Sequence, residues 1–215
     1  MISWMTITRL GGITVTAPIA LGIAAFLALE GERRLAVWWC LLFSAGLALV
    51  VATKMAFIGW GIGIQPLDFT GASGHAMRAM ALAPVAFYLV LQNAPRHLRA
   101  AGVLAGYAFG VLIGISRLVL RAHTVSEVVA GWLLGAVVSM AFICIAGSLQ
   151  KTIFTPTRIA GGMVALFLLA AFGRPFPTQY WLTKASLYVS GHEKPFVRAG
   201  SRPVQTKTMG KREWQ

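Results

Sequence analysis

The sequence predicts an all-α fold, a polytopic membrane bundle of about six transmembrane helices, because apolar runs long enough to cross a bilayer core recur along the chain. Composition agrees. Of 215 residues, 57% are hydrophobic and 12% charged, and the mean hydropathy is +0.72, too apolar for a water-soluble domain of this length. A third observation is the concentration of most basic residues in short joins and in the tail after Arg174.

The runs fall near residues 12–30, 35–58, 76–92, 98–120, 124–147 and 157–173. The first is too long from Gly11 to Leu29, and lacks a following small-residue cleavage pattern, to read as a secretory signal. It is expected to stay as the first span. Cys40 in the second run and Cys144 in the fifth are expected to be packed core thiols. The third run opens at Ser73-Gly74-His75, after the turn-prone stretch Phe69-Thr-Gly-Ala. In the fourth, Gly102, Gly106, Gly110 and Gly114 recur every four residues, and Gly131 and Gly135 repeat the device in the fifth. Small residues stacked on one helix face let a neighbouring helix approach closely in lipid. The sixth run is the weakest, although Met163 to Ala171 is uninterruptedly apolar. The chain therefore divides into a bundle over residues 1–173, with its chemistry in 54–135, and a basic C-terminal tail over 174–215. In that tail His192 and Lys194, like His97 in a join, read as solvated positions without partners at catalytic spacing. Low apolar content favours disorder beyond about Arg198.

The joins after the first, third and fifth runs carry Arg33 and Arg34, Arg96 and Arg99, and Lys151 and Arg158. Positive charge flanking short loops faces the cytoplasm. Lys54, residues 59–75 and residues 117–123 then share the outer face, the periplasmic side if the membrane is a bacterial inner membrane. Six crossings also export the basic tail. Either run 157–173 does not cross, or the tail is exported because distal charges count for little; the apolar continuity of Met163 to Ala171 favours the second. A net charge of +13 spread over joins and tail excludes a folded nucleic-acid face and points to anionic lipid headgroups.

Ionisable groups at membrane depth are costly and mark function. Here they are Lys54, Arg78, Arg117, Arg121, His123 and Glu127, with His75 at a span entrance. Ser73 can cap a helix whose first amides face outward, and Gly74 leaves them open, which makes an anion site with His75 one turn inside. His123 and Glu127 are four apart and share a helix face. A carboxylate on one ring nitrogen fixes the tautomer and frees the other nitrogen to attack. Arg117 offers a planar fork that matches phosphate oxygens.

Together these segments resemble the type 2 phosphatidic acid phosphatase superfamily, whose motifs read K-x6-R-P, P-S-G-H and S-R-x5-H-x3-D. Ser116, Arg117, His123 and Glu127 reproduce the third spacing, with Glu for Asp. Ala72 replaces the proline before Ser73, and Gly61-Ile62 stand where the first motif has Arg-Pro. One phosphate-binding arginine is thus missing, and Arg78 or Arg121 is expected to restore its charge. The resemblance implies that His123 attacks phosphorus, giving a phosphohistidine, and that His75 protonates the leaving oxygen and then activates water. It also implies that Lys54, Ser73, Gly74 and Arg117 hold the phosphate without a metal or other cofactor. The implied substrate is a lipid phosphate or diphosphate in the membrane. A lipid phosphotransferase with the same site, or a degenerate lipid-binding protein, would share this pattern; a soluble haloperoxidase is excluded by the apolar spans.

Overall fold

The computed structural model describes residues 3–149, Gly162 and residues 177–198. Helix α1 (Trp4–Leu10) starts at Ser3, whose hydroxyl accepts the Thr6 amide, and α2 (Ile13–Leu29) follows the Gly11-Gly12 break. Next come α3 (Arg33–Trp60), a single 3-10 turn at Gln65–Leu67, α4 (Gly74–Val90), α5 (Arg96–Val119), α6 (Val125–Leu149) and α7 (Thr178–Ser190). No strand forms among the described residues beyond one bridge, Ile64 with Phe69. The chain is all-α, and five of the apolar runs are helices close to their expected bounds. The sixth, 157–173, lies outside the described residues, as do Lys151 and Arg158.

Among the described residues, four stretches are long and apolar enough to cross a membrane: Trp4–Leu29, Arg33–Trp60, Arg96–Val119 and Val125–Leu149. Their outward faces carry Leu21, Leu104, Leu133 and Val137, each more than 60% exposed. A helix apolar on both its packed and its outer face suits lipid rather than water, and the chain is a membrane protein. The cysteines depart from expectation for the same reason. Cys40 and Cys144 are free and exposed, because an outward position in lipid accepts a thiol as readily as a core does.

Helix α4 is shorter, 17 residues, and is buried along most of its length between α5 and α6. Glycine makes this possible. A Cβ on Gly106 would lie 2.5 Å from the Pro84 nitrogen, and one on Gly131 would lie 2.5 Å from the Ser73 carbonyl oxygen. The core continues around Trp39, which stacks on Phe43 at 5.1 Å, meets Phe142 edge-on at 5.3 Å and donates its indole N–H to the Ala20 carbonyl.

Residues 174–215 are not simply a solvated tail. Within them α7 packs on α3, and the segment that follows is bound to the same helix: His192 Nδ1 donates to the Gly59 carbonyl at 2.7 Å, and the Phe196 amide donates to the Ile58 carbonyl at 3.0 Å. His192, exposed as expected, has a backbone partner, since its ring reaches the carbonyls left open where α3 ends. Lys194 and His97 are exposed. The disorder expected beyond about Arg198 falls on residues outside those described.

Candidate active site

Most of the residues singled out in the sequence gather at one end of the helices, around a cavity of about 740 Å³. Chain direction explains the grouping: α3 and α5 end there, while α2, α4 and α6 begin there. Lys54 comes from the last turns of α3, Gly74, His75 and Arg78 from the start of α4, Arg117 from the end of α5, and His123 and Glu127 from the next corner.

The corner is built locally. The Leu120 amide donates to the Ser116 carbonyl, closing α5; Arg121 adopts a left-handed φ of 51°, and the chain turns through His123 into α6. His123 Nδ1 donates to Glu127 Oε2 at 2.7 Å, and the Thr124 amide reaches the same oxygen at 3.3 Å. Glu127 Oε1 accepts from the Thr70 amide at 2.9 Å, from the Thr70 hydroxyl, and from Arg198 Nη2 at 2.7 Å. A carboxylate this buried, its side chain 2% exposed, is held by donors on every side. Burial holds the His123 imidazole below the ordinary 6.5, against the upward pull of its hydrogen bond to Glu127; nearby Lys54 adds to the depression. The ring is neutral near pH 7, with Nδ1 engaged by Glu127.

The α3–α4 loop is fastened to this corner. Thr124 and Ser126 hydroxyls donate to the carbonyls of Asp68 and Leu67, and the Ser73 amide donates to the Glu127 carbonyl at 2.9 Å. Ala72, at the proline position of the second motif, uses the amide a proline would lack, donating to Thr53 Oγ1 at 3.2 Å. Ser73 is fully buried and its hydroxyl accepts the Ala76 amide of its own helix. It does not line the cavity; Gly74 does.

The two inner arginines are held from the amino-terminal helices. Arg117 Nη1 donates to Thr8 Oγ1 and Arg78 Nη2 to the Gly11 carbonyl, each at 3.0 Å. Each keeps a buried Nε without a hydrogen-bond partner among the described residues. Arg78 lines the cavity. Arg121 does not: it is exposed, because the left-handed turn that makes the corner carries its side chain away. Of the two arginines expected as alternatives for the missing charge, Arg78 is the one that borders the cavity. Sequence reasoning missed Thr8, Thr70 and Arg198. Thr70 adjoined the turn-prone stretch and had a signal; Thr8 and Arg198 lie far from every motif and had none.

Beyond the cationic end, the cavity wall is apolar, formed by Ile13, Leu47, Val51, Trp181 and Leu182 among others. Trp60 is exposed and is not part of it.

A helical membrane bundle with a buried His–Glu pair facing clustered cations defines a class, and the sequence model of the PAP2 superfamily matches residues 61–151. The chain belongs to that superfamily. It is 40% identical over 205 residues, 91% of this chain and 96% of the relative, to a protein of Klebsiella pneumoniae named "Uncharacterized 22.5 kDa protein in cps region". It is 36% identical over 75 residues to phosphatidylglycerophosphatase B of Bacillus subtilis (strain 168), covering 34% of this chain and 36% of that one. No solved structure matches the chain.

Proposed function

We propose that this protein is a membrane phosphatase that hydrolyses a lipid phosphate or diphosphate through a phosphohistidine on His123. The observation that carries the reading is the 2.7 Å bond between His123 Nδ1 and Glu127 Oε2 at the edge of a cavity lined by Lys54, Arg78 and Arg117. Such a pair orients an imidazole for in-line attack. The cations stabilise charge that spreads over the equatorial oxygens of phosphorus as the bond to the leaving group breaks.

In this reading a lipid phosphate enters with its phosphorus facing Nε2 of His123. Nε2 attacks, the bond to the leaving oxygen breaks, and His75, which takes up a proton as the phosphate binds, delivers it to that oxygen. His75, now neutral, takes a proton from water, which attacks phosphohistidine and regenerates His123. The amides at the start of α4, opened by Gly74, supply further donors. Glu127, already accepting from several donors, has little left to offer a divalent ion, and the basic side chains take over the neutralising part a metal plays elsewhere.

The apolar wall supports a lipid substrate: an acyl or prenyl chain would lie between α2, α3 and α7 while the phosphate meets the cationic end. The Bacillus relative's name, phosphatidylglycerophosphatase B, is consistent with that substrate class. The basic joins at Arg33–Arg34 and Arg96–Arg99 favour an inner membrane of a bacterium with the site on the periplasmic face.

The test is phosphate release from a panel of lipid phosphates and diphosphates by purified protein in detergent. His123→Ala should lower turnover by at least about a thousandfold and His75→Ala by about a hundredfold or more. Full activity in purified, folded His123→Ala would refute the assignment.

A further inference from the structure

One cationic side chain reaches this cavity from a segment that no motif covers. After α7 the chain leaves through Gly191, at φ 71°, and is pinned along α3 by the His192 and Phe196 bonds described above. The strap 191–198 brings Arg198 beside the cavity. Its path explains a peculiarity of the first motif. Gly61, where that motif has arginine, ends α3 in a left-handed conformation, and a Cβ there would come within 2.8 Å of the Phe196 ring. The strap fills the space that a side chain at position 61 would enter, and it brings its own arginine.

The contacts of Arg198 say what that arginine does. Its Nε pairs with Asp68 Oδ1 at 2.9 Å, and Nη2 reaches the Asp68 carbonyl and Thr70 hydroxyl at 3.2 Å and Glu127 Oε1 at 2.7 Å. It therefore grips Glu127 through the oxygen opposite the one that holds His123. We propose that Arg198 is a positioning residue that acts through Glu127 on His123, fixing the carboxylate in one orientation and drawing part of its charge away from the imidazole. The inference rests on the reading of His123 as nucleophile, but the coupling itself is a physical property that exists with or without turnover.

The groups facing His123 and its partner are Lys54 from α3, Asp68 from the α3–α4 loop, His75 and Arg78 from α4, Arg117 from α5, Glu127 from α6 and Arg198 from the strap. Removing Arg198 deletes one cation and returns the charge of Glu127 to the ring. Both changes favour the imidazolium, so His123 should titrate at higher pH. A residue that only bound phosphate would change substrate affinity instead, and a merely structural one would leave the ring's titration where it is.

The experiment follows the His123 imidazole by NMR in the detergent-purified full chain, assigned by comparison with His123→Gln. Phosphate release from short-chain phosphatidic acid in mixed micelles is measured on the same preparations. Arg198→Gln should raise the His123 midpoint by roughly half a pH unit or more. It should also lower kcat on the order of tenfold, with KM changed less than about twofold. Arg198→Lys, which keeps the charge and disturbs the fold least, should recover most of both. In a Glu127→Gln background the shift caused by Arg198→Gln should shrink to less than about half. An unmoved midpoint, an equal shift in both backgrounds, or a raised KM with unaltered kcat would each overturn the proposal. A coupled shift in a protein that releases phosphate from no lipid would uphold the Arg198–Glu127–His123 linkage and sink the phosphatase reading alone.

Discussion

At the scale of single residues, the site turns on how Glu127 divides its two oxygens. Oε2 faces His123 and Oε1 faces Thr70 and Arg198, so the carboxylate orients the ring without giving it the whole of a negative charge. Burial keeps His123 below its ordinary value and the Glu127 bond raises it. In the proposed mechanism the neutral form of His123 attacks, and that form prevails above the folded pKa and is lost as pH falls through it. The acid limb of kcat/KM, where His123 governs it, is expected below about 6.5. Glu127→Gln should push that limb lower still, since it removes the charge that favours the imidazolium, while cutting kcat by about a hundredfold or more through lost orientation. A pH–rate profile of both proteins checks this, and an acid limb that climbs in Glu127→Gln would contradict it. A second residue-scale feature concerns Ala72. The hydrogen bond that its amide donates to the Thr53 hydroxyl ties the turn before Ser73 to α3, so the departure from the family's proline gains a hydrogen bond where it gives up backbone stiffness.

At the scale of elements, α4 is the part on which placement of the site depends, and glycine on its neighbours sets how near they come. Gly131 lets α6 approach the first turn of α4, where the Ser73 carbonyl and Ala76 methyl lie within 2.5 and 3.0 Å of a hypothetical Cβ. Gly131→Ala should overpack this contact at a cost of about 1–3 kcal/mol. Thermal unfolding in detergent should report a lower midpoint, and kcat should fall because Gly74 and His75 ride on the displaced turn. Gly147→Ala, also on α6, would meet only the Tyr88 hydroxyl at 3.9 Å and should leave both readouts unchanged or slightly improved. If the two substitutions behaved alike, close approach at Gly131 would not be what positions α4. The four-residue spacing of these glycines made the packing legible in sequence, and the His123–Glu127 spacing made the pair legible. What could not be read was any partnership set by tertiary path alone: Arg117 with Thr8, Arg78 with Gly11, Glu127 with Arg198. Arg121 was misplaced because its proximity to His123 in sequence said nothing of the left-handed turn between them.

At the scale of the whole molecule, helices are long where lipid must be crossed, and the chain turns back at one common end to make a cavity both cationic and apolar. The apolar runs announced the spans because lipid-facing and packed surfaces are both hydrophobic; for the same reason they could not tell which face Cys40 and Cys144 would take. The cavity's composition predicts a preference that can be measured. A lipid phosphate in mixed micelles should be hydrolysed with a kcat/KM at least about a hundredfold above that of a water-soluble aryl phosphate, since binding of the chain contributes to transition-state stabilisation. Vanadate should inhibit by occupying the cationic end, and chelators should leave the rate unchanged. Equal efficiency on both substrates, or a rate that requires added divalent ion, would count against the proposed site.

The break at Gly11-Gly12 carries one more implication. Because Thr8 and the Gly11 carbonyl steady the two innermost guanidinium groups, the first helix and its bend serve as tooling for the proposed reaction centre, whose residues are encoded far downstream. Damage there should be felt first by the anion grip and only later by insertion into the bilayer. An inventory of functionally sensitive positions drawn from the three signatures alone would overlook it, and an affinity handle spliced at that bend would interfere with chemistry that sequence distance suggests it cannot reach.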